Sequence, residues 1–123
     1  MKVLLVDDDA MLRELFAVVF RNAGHTVVLA EDGVVGLRQA RLAMPDVIIM
    51  DLMMPRLNGY IATRMLKTDA DMGHIPVVAL TAVSPVPDAA KLQEMGFSEY
   101  VVKPIAVNDV IALIERVVRN SAH

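Results

Sequence analysis

The sequence predicts a single α/β domain: a doubly wound parallel sheet with helices on both faces. Three observations predict it. Five short, apolar, β-branched segments alternate with longer amphipathic ones along the 123 residues. Strict alternation of this kind implies parallel strands joined by right-handed crossovers. The chain is 55% hydrophobic with a mean hydropathy of +0.48, which suits a sheet covered on both faces better than a half-solvated one. Its length fits one ordinary domain with its own core, so residues 1–123 are read as one unit.

The elements follow in order. Lys2–Val6 is the first strand. Leu12, Leu15, Phe16, Val19 and Phe20 then recur at helical spacing, with Arg13, Glu14 and Arg21 off that stripe. Asn22-Ala23-Gly24 stops this helix, because glycine accepts the left-handed conformation. Thr26–Ala30 is the second strand. Asp32 caps a helix that starts at Gly33 and covers Val34–Ala43. Pro45 precedes the third strand, Asp46–Met50, at a position where a missing N–H is tolerated. Asn58 caps the next helix, Gly59–Lys67. Ile75–Leu80 is the fourth strand, with Pro76 at its start. Asp88–Met95 is the fourth helix and Gly96 ends it. Glu99–Val102 is the fifth strand. Val107, Val110, Ile111, Ile114, Val117 and Val118 mark the last helix. Each strand segment reads as buried.

Composition excludes several classes. The net charge is −3 and the pI about 5.5, which disfavours binding nucleic acid through its phosphates. No cysteine is present, so disulfides and thiolate metal centres are excluded. The apolar run Val3–Val6 stops at Asp7-Asp8-Asp9, short of the roughly 7–15 residues an export signal needs. Val47–Met50 is far too short to span a bilayer. A cytoplasmic protein with no membrane association is expected.

In doubly wound sheets, ligands bind beyond the carboxyl ends of the strands. Those ends carry the polar residues here. The first strand runs into Asp7-Asp8, the third into Asp51, the fourth into Thr81 and the fifth into Lys103-Pro104. Parallel packing would gather three carboxylates, a hydroxyl and an ammonium on one rim. Two carboxylates at 4 Å repel by roughly 4 kcal/mol in an effective dielectric of about 20. One lysine offsets part of that, and a divalent cation offsets more. Oxygen ligands of this kind suit Mg²⁺, which prefers one or two carboxylates plus phosphate oxygens. With the cation in place, one carboxylate can act as nucleophile towards a phosphoryl group while Lys⁺ neutralises developing charge.

Every one of these residues also has a plainer reading. Asp9 is best taken as a helix cap. Asp7 and Asp8 could merely begin a loop, Thr81 could be an ordinary strand end, and Lys103 a solvated lysine. Met50, Met53 and Met54 read as core filler. The joint placement decides the matter, because unrelated surface residues have no reason to favour the same end of four strands.

The segments Val3–Asp9, Asp51–Gly59, Val78–Ala82 and Tyr100–Pro104 resemble the signature segments of response regulator receiver domains, in order and in spacing. The resemblance covers the whole chain. It implies a flavodoxin-like five-stranded parallel sheet in the order 2-1-3-4-5. It implies that Asp51 is the phosphoacceptor in two-component phosphorelay signalling, taking its phosphoryl group from a histidine kinase or phosphotransfer protein. Asp7, Asp8, Asp51 and the backbone carbonyl of Met53 would hold Mg²⁺. Lys103 would pair with Asp51 and then with the phosphoryl group. Thr81 and Tyr100 would be the switch residues, and Lys103-Pro104 a cis peptide. The output would be a change in a partner surface read by a downstream protein effector, with no direct contact to nucleic acid.

Some positions depart from the commonest pattern. Pro85 and Pro87 predict a stiff loop into the fourth helix and a late helix start. Met53 and Val83 carry no group able to position an attacking water, which predicts a long-lived phosphoryl group. Met1 lies directly before the first strand and the tail is short, which favours a stand-alone, chemotaxis-type regulator over an excised domain. Three rivals remain. A haloacid-dehalogenase-type phosphatase would use the Asp-x-Asp spacing in Asp7–Asp9, but Met11 stands where Thr or Val is usual. A flavodoxin would need a phosphate loop and aromatic stacking that the sequence lacks. A degenerate receiver used only for binding would have lost at least one of Asp8, Asp51, Thr81 or Lys103, and all are present.

Overall fold

The computed structural model describes residues 1–82 and 88–121. Five strands form one parallel sheet: β1 (Lys2–Val6), β2 (Thr26–Ala30), β3 (Val47–Asp51), β4 (Val77–Thr81) and β5 (Glu99–Val102). Their order is β2-β1-β3-β4-β5, with every neighbouring pair parallel. The helices between them are α1 (Ala10–Asn22), α2 (Gly33–Ala43), α3 (Gly59–Thr68), α4 (Ala89–Glu94) and α5 (Val107–Ser121). No helix among the described residues is long and apolar enough to cross a membrane.

Side-chain alternation along the strands separates the core into two layers. Val3, Leu5, Val47, Ile49, Val78 and Leu80 point to one face, where Phe16 and Phe20 of α1 meet Val110, Ile114 and Val117 of α5. The two phenylalanine rings are stacked, with centroids 3.8 Å apart. Leu4, Val6, Ile48, Met50, Val77 and Ala79 point to the other face, under Ala40 of α2, Ala62 and Leu66 of α3 and Leu92 of α4. Gly36 lets α2 lie close against β1, since a Cβ there would come within 2.9 Å of Val6.

Several sequence expectations are corrected. The central strands β1, β3 and β4 are buried, but β2 and β5 are not buried throughout: they are the sheet edges, and Tyr100 and Val102 are exposed. Leu15 does not join the core. Phe16 and Phe20 take the centre of the buried face of α1, and Leu15 falls on its exposed flank beside Met11 and Val18. Met53 is exposed as well, because the chain leaves the sheet after Leu52, whereas Met50 is core and Met54 packs partly against it. The fourth strand begins at Val77 rather than Ile75 and runs through Thr81. The cap at Asp9 is as expected: its carboxylate accepts from the N–H groups of Met11 and Leu12. Asp32 and Asn58 cap α2 and α3 in the same way. The loop carrying Val83, Pro85 and Pro87 lies outside the described residues.

Candidate functional site

The strand register gathers the polar residues at one end of the sheet. Val6 is level with Met50, and Asp51 with Leu80. Asp7 therefore emerges beside Asp51, and Thr81 stands one residue further along β4. Thr81 pairs with Val102 in β5, and its carbonyl accepts from the Lys103 N–H at 2.7 Å. That bond sets the start of the Lys103 side chain at the rim. The Lys103-Pro104 peptide is cis.

The side chains converge as the strand ends require. Lys103 Nζ lies 2.8 Å from Asp7 Oδ2 and 3.2 Å from Asp51 Oδ2. Asp51 Oδ1 accepts from the Met53 N–H at 3.1 Å, and Asp7 Oδ1 accepts from the Asp9 N–H at 2.8 Å. Asp7, Asp51 and Thr81 are buried, whereas Asp8 is exposed. Gly59 backs the site: a Cβ there would sit 2.2 Å from the Asp51 carbonyl oxygen. Only glycine lets α3 begin so close to the end of β3. Tyr100 lies on the exposed side of β5, level with Ala79.

The electrostatics follow from this crowding. Burial pushes the Asp51 carboxyl up from its ordinary range, and the Asp7 charge adds to that. The Met53 N–H and Lys103 oppose them without cancelling them. Burial acts on Lys103 in the opposite sense, disfavouring its charge. Its contacts with Asp7 and Asp51 outweigh that burial, so its pKa is raised on balance. Both directions have one physical origin: a single ammonium shared between two poorly solvated carboxylates.

Three carboxylates and one ammonium leave the rim with excess negative charge. Asp7, Asp8 and Asp51 each offer an oxygen within 4.8 Å of the others, the one such acidic group among the described residues. Asp7 Oδ2 is buried against Lys103 Nζ, the same ammonium that Asp51 uses. An all-oxygen donor set that carries more negative charge than its one ammonium offsets fits a hard divalent cation such as Mg²⁺.

Comparison with known proteins gives the arrangement its context. Residues 3–115 match the family profile described as the response regulator receiver domain. The chain belongs to this family. Its function is that of a receiver in two-component signal transduction. Among curated relatives it is 38% identical over 120 residues to the probable transcriptional regulator ycf27 of Guillardia theta, covering 98% of this chain and 46% of that protein. It is 32% identical to the DNA-binding response regulator MtrA of Mycolicibacterium paratuberculosis, covering 98% and 52%. The receiver thus spans about half the length of these relatives. Among solved structures it is similar to the Vibrio cholerae chemotaxis protein CheY4, with a TM-score of 0.85, 28% identity and coverage of 94% and 96%. The Francisella response regulator 1452 receiver domain superposes with a TM-score of 0.88, 26% identity and 98% coverage of both chains.

Sequence reasoning singled out the side chains that this receiver brings together, Asp7, Asp8, Asp51 and Lys103, and Thr81 at the same end of the sheet. It missed three supports. The Met53 N–H on Asp51 and the close approach of Gly59 lie within a segment it had marked, but neither has a side-chain signal. The third is an ion pair between Arg56 and Asp32. These residues are 24 positions apart in sequence, and no periodic pattern relates them.

Proposed function

We propose that Asp51 is the phosphoacceptor of this receiver and that Lys103, Thr81, Asp7 and Asp8 assist the transfer. The observation that supports it best is the Asp51 carboxylate held 3.2 Å from Lys103 Nζ with oxygens of Asp7 and Asp8 within 4.8 Å. A carboxylate oxygen of Asp51 attacks the phosphorus of a phosphohistidine on a histidine kinase or phosphotransfer protein. The O–P bond forms as the P–N bond breaks, and the imidazole leaves with a proton. Burial makes Asp51 more basic than a solvated aspartate, which favours its attack. Lys103 follows the charge from the carboxylate to the new phosphoryl oxygens. Asp7, Asp8, Asp51 and the Met53 carbonyl would hold Mg²⁺, which neutralises charge on the phosphoryl group when bound. Thr81 would supply its hydroxyl to a phosphoryl oxygen, and Tyr100 would change position with it. Incubation with phosphoramidate and Mg²⁺, followed by peptide mapping, should place the phosphoryl group on Asp51. A chelator should prevent labelling. Labelling at another residue, or labelling that ignores the chelator, would contradict the assignment.

Phosphorylation adds about −1.5 to −2 charge and three acceptor oxygens at this point. The surface beyond Thr81 then changes for a downstream protein effector. A net charge of −3 supports protein contacts for this domain rather than direct nucleic acid contact, even though relatives such as MtrA are described as DNA-binding. Chemotaxis-type use is supported by the superposition on CheY4. A cytoplasmic location goes with this reading. Slow hydrolysis does too, because the exposed Met53 side chain offers no hydrogen bond to an attacking water. The phosphoryl group should persist for minutes or longer with Mg²⁺ and no phosphatase, and a half-life of seconds would refute that.

A further inference from the structure

The loop between β3 and α3 is fixed at both ends. The Leu52 N–H bonds to the Leu80 carbonyl at 3.0 Å, and the Gly59 N–H to the Leu52 carbonyl at 3.1 Å. Between them, Met53 lies against Asp51 through its N–H. The far side of the loop is held differently. Arg56 has φ 67, in the left-handed region that a long side chain rarely adopts. Its guanidinium pairs with the Asp32 carboxylate. Asp32 is buried and cannot follow a moving partner, because it caps α2 through the Val35 N–H at 2.9 Å. Next to it, Gly33 brings the first turn of α2 against the loop so closely that a Cβ would lie 2.4 Å from the Leu57 carbonyl oxygen. The Arg56 side chain is itself 61% exposed, so packing does not account for its conformation.

We propose that the Arg56–Asp32 pair is a clamp that holds the β3–α3 loop in the shape that keeps the Met53 backbone beside Asp51. Arg56 is then a positioning residue for divalent-cation binding at Asp7, Asp8 and Asp51. The inference rests on the metal-assisted reading above. It makes a prediction of distinctive sign. A cationic side chain near the rim repels a second cation, so charge alone would make removal of Arg56 tighten Mg²⁺ binding. A clamp requires the reverse.

The test is a Mg²⁺ titration at constant ionic strength, followed by the amide NMR shifts of Asp8, Met53 and Lys103. Arg56→Ala, Arg56→Gly, Arg56→Lys and Asp8→Asn are compared with wild type, and thermal midpoints in chelator confirm that each is folded. Arg56→Ala and Arg56→Gly should bind about tenfold more weakly, as is common when a group that orients a metal ligand is lost. Arg56→Lys should keep most of the affinity, since a single donor contacts Asp32. Arg56→Gly matters because glycine accepts the backbone conformation, so strain at this φ does not account for weaker binding by that variant. Unchanged or tighter binding by Arg56→Ala and Arg56→Gly, with binding lost in Asp8→Asn, overturns the clamp alone. Absence of Mg²⁺ binding by wild type, or undiminished binding by Asp8→Asn, overturns the metal reading and the clamp with it.

Discussion

At the scale of residues, Asp51 is held in a place that costs the fold stability when its carboxylate is ionised. Burial and the neighbouring Asp7 raise its pKa above the ordinary 3.8. A carboxyl whose folded pKa is raised contributes most below its unfolded pKa. That contribution is lost as pH rises through the folded value. At neutral pH without a divalent cation, the ionised Asp51 therefore destabilises the fold. Asp51→Asn should unfold at a higher denaturant midpoint than wild type in chelator at pH 7. The difference should shrink as the pH falls below 4. Mg²⁺ should stabilise wild type by binding the native state and do so much less for the variant. A variant less stable than wild type at pH 7 in chelator would mean that Lys103 more than offsets the burial.

At the scale of elements, the helices covering the Leu4–Val6 face of the sheet are fastened by specific polar contacts. In α3, Lys67 reaches down to the loop before β4, donating to the Ile75 carbonyl at 2.6 Å and the Gly73 carbonyl at 3.3 Å. Burial lowers its pKa, and those carbonyls compensate part of the lost hydration. Thr63 on the same helix has no such compensation. It is fully buried and its hydroxyl has no hydrogen-bond partner. Thr63→Val replaces that hydroxyl with a methyl group and should raise stability by about 1 kcal/mol, read from urea unfolding at unchanged m-value. A loss of stability would show that the hydroxyl is satisfied in solution. Gly59, at the start of α3, is the opposite case. Any side chain there meets the Asp51 backbone, so Gly59→Ala should cost about 3 kcal/mol and reduce phosphorylation together with folding.

At the scale of the whole molecule, local sequence pattern carried the layers, and long-range geometry carried the corrections. Alternation of apolar and amphipathic segments located every strand and helix, because each has its own period and its own punctuation at Asp9, Gly24, Asp32, Asn58 and Gly96. The convergence of Asp7, Asp51, Thr81 and Lys103 was legible for the same reason: parallel strands place their carboxyl ends together. The exposure of Leu15, Tyr100 and Val102 was not legible, since it depends on which residue of a stripe takes the centre and which strand ends at an edge. The Arg56–Asp32 pair was hidden too, because a contact between residues far apart in sequence rather than local propensity holds it.

The central claim is that this rim exists to carry a phosphoryl group on Asp51. The most direct measurement is intact mass after incubation with a small phosphodonor and Mg²⁺, for wild type and Asp51→Ala side by side. The account predicts a single phosphoryl adduct on the wild-type chain and none on the variant. An unmodified wild-type chain, or an undiminished adduct on Asp51→Ala, would contradict it.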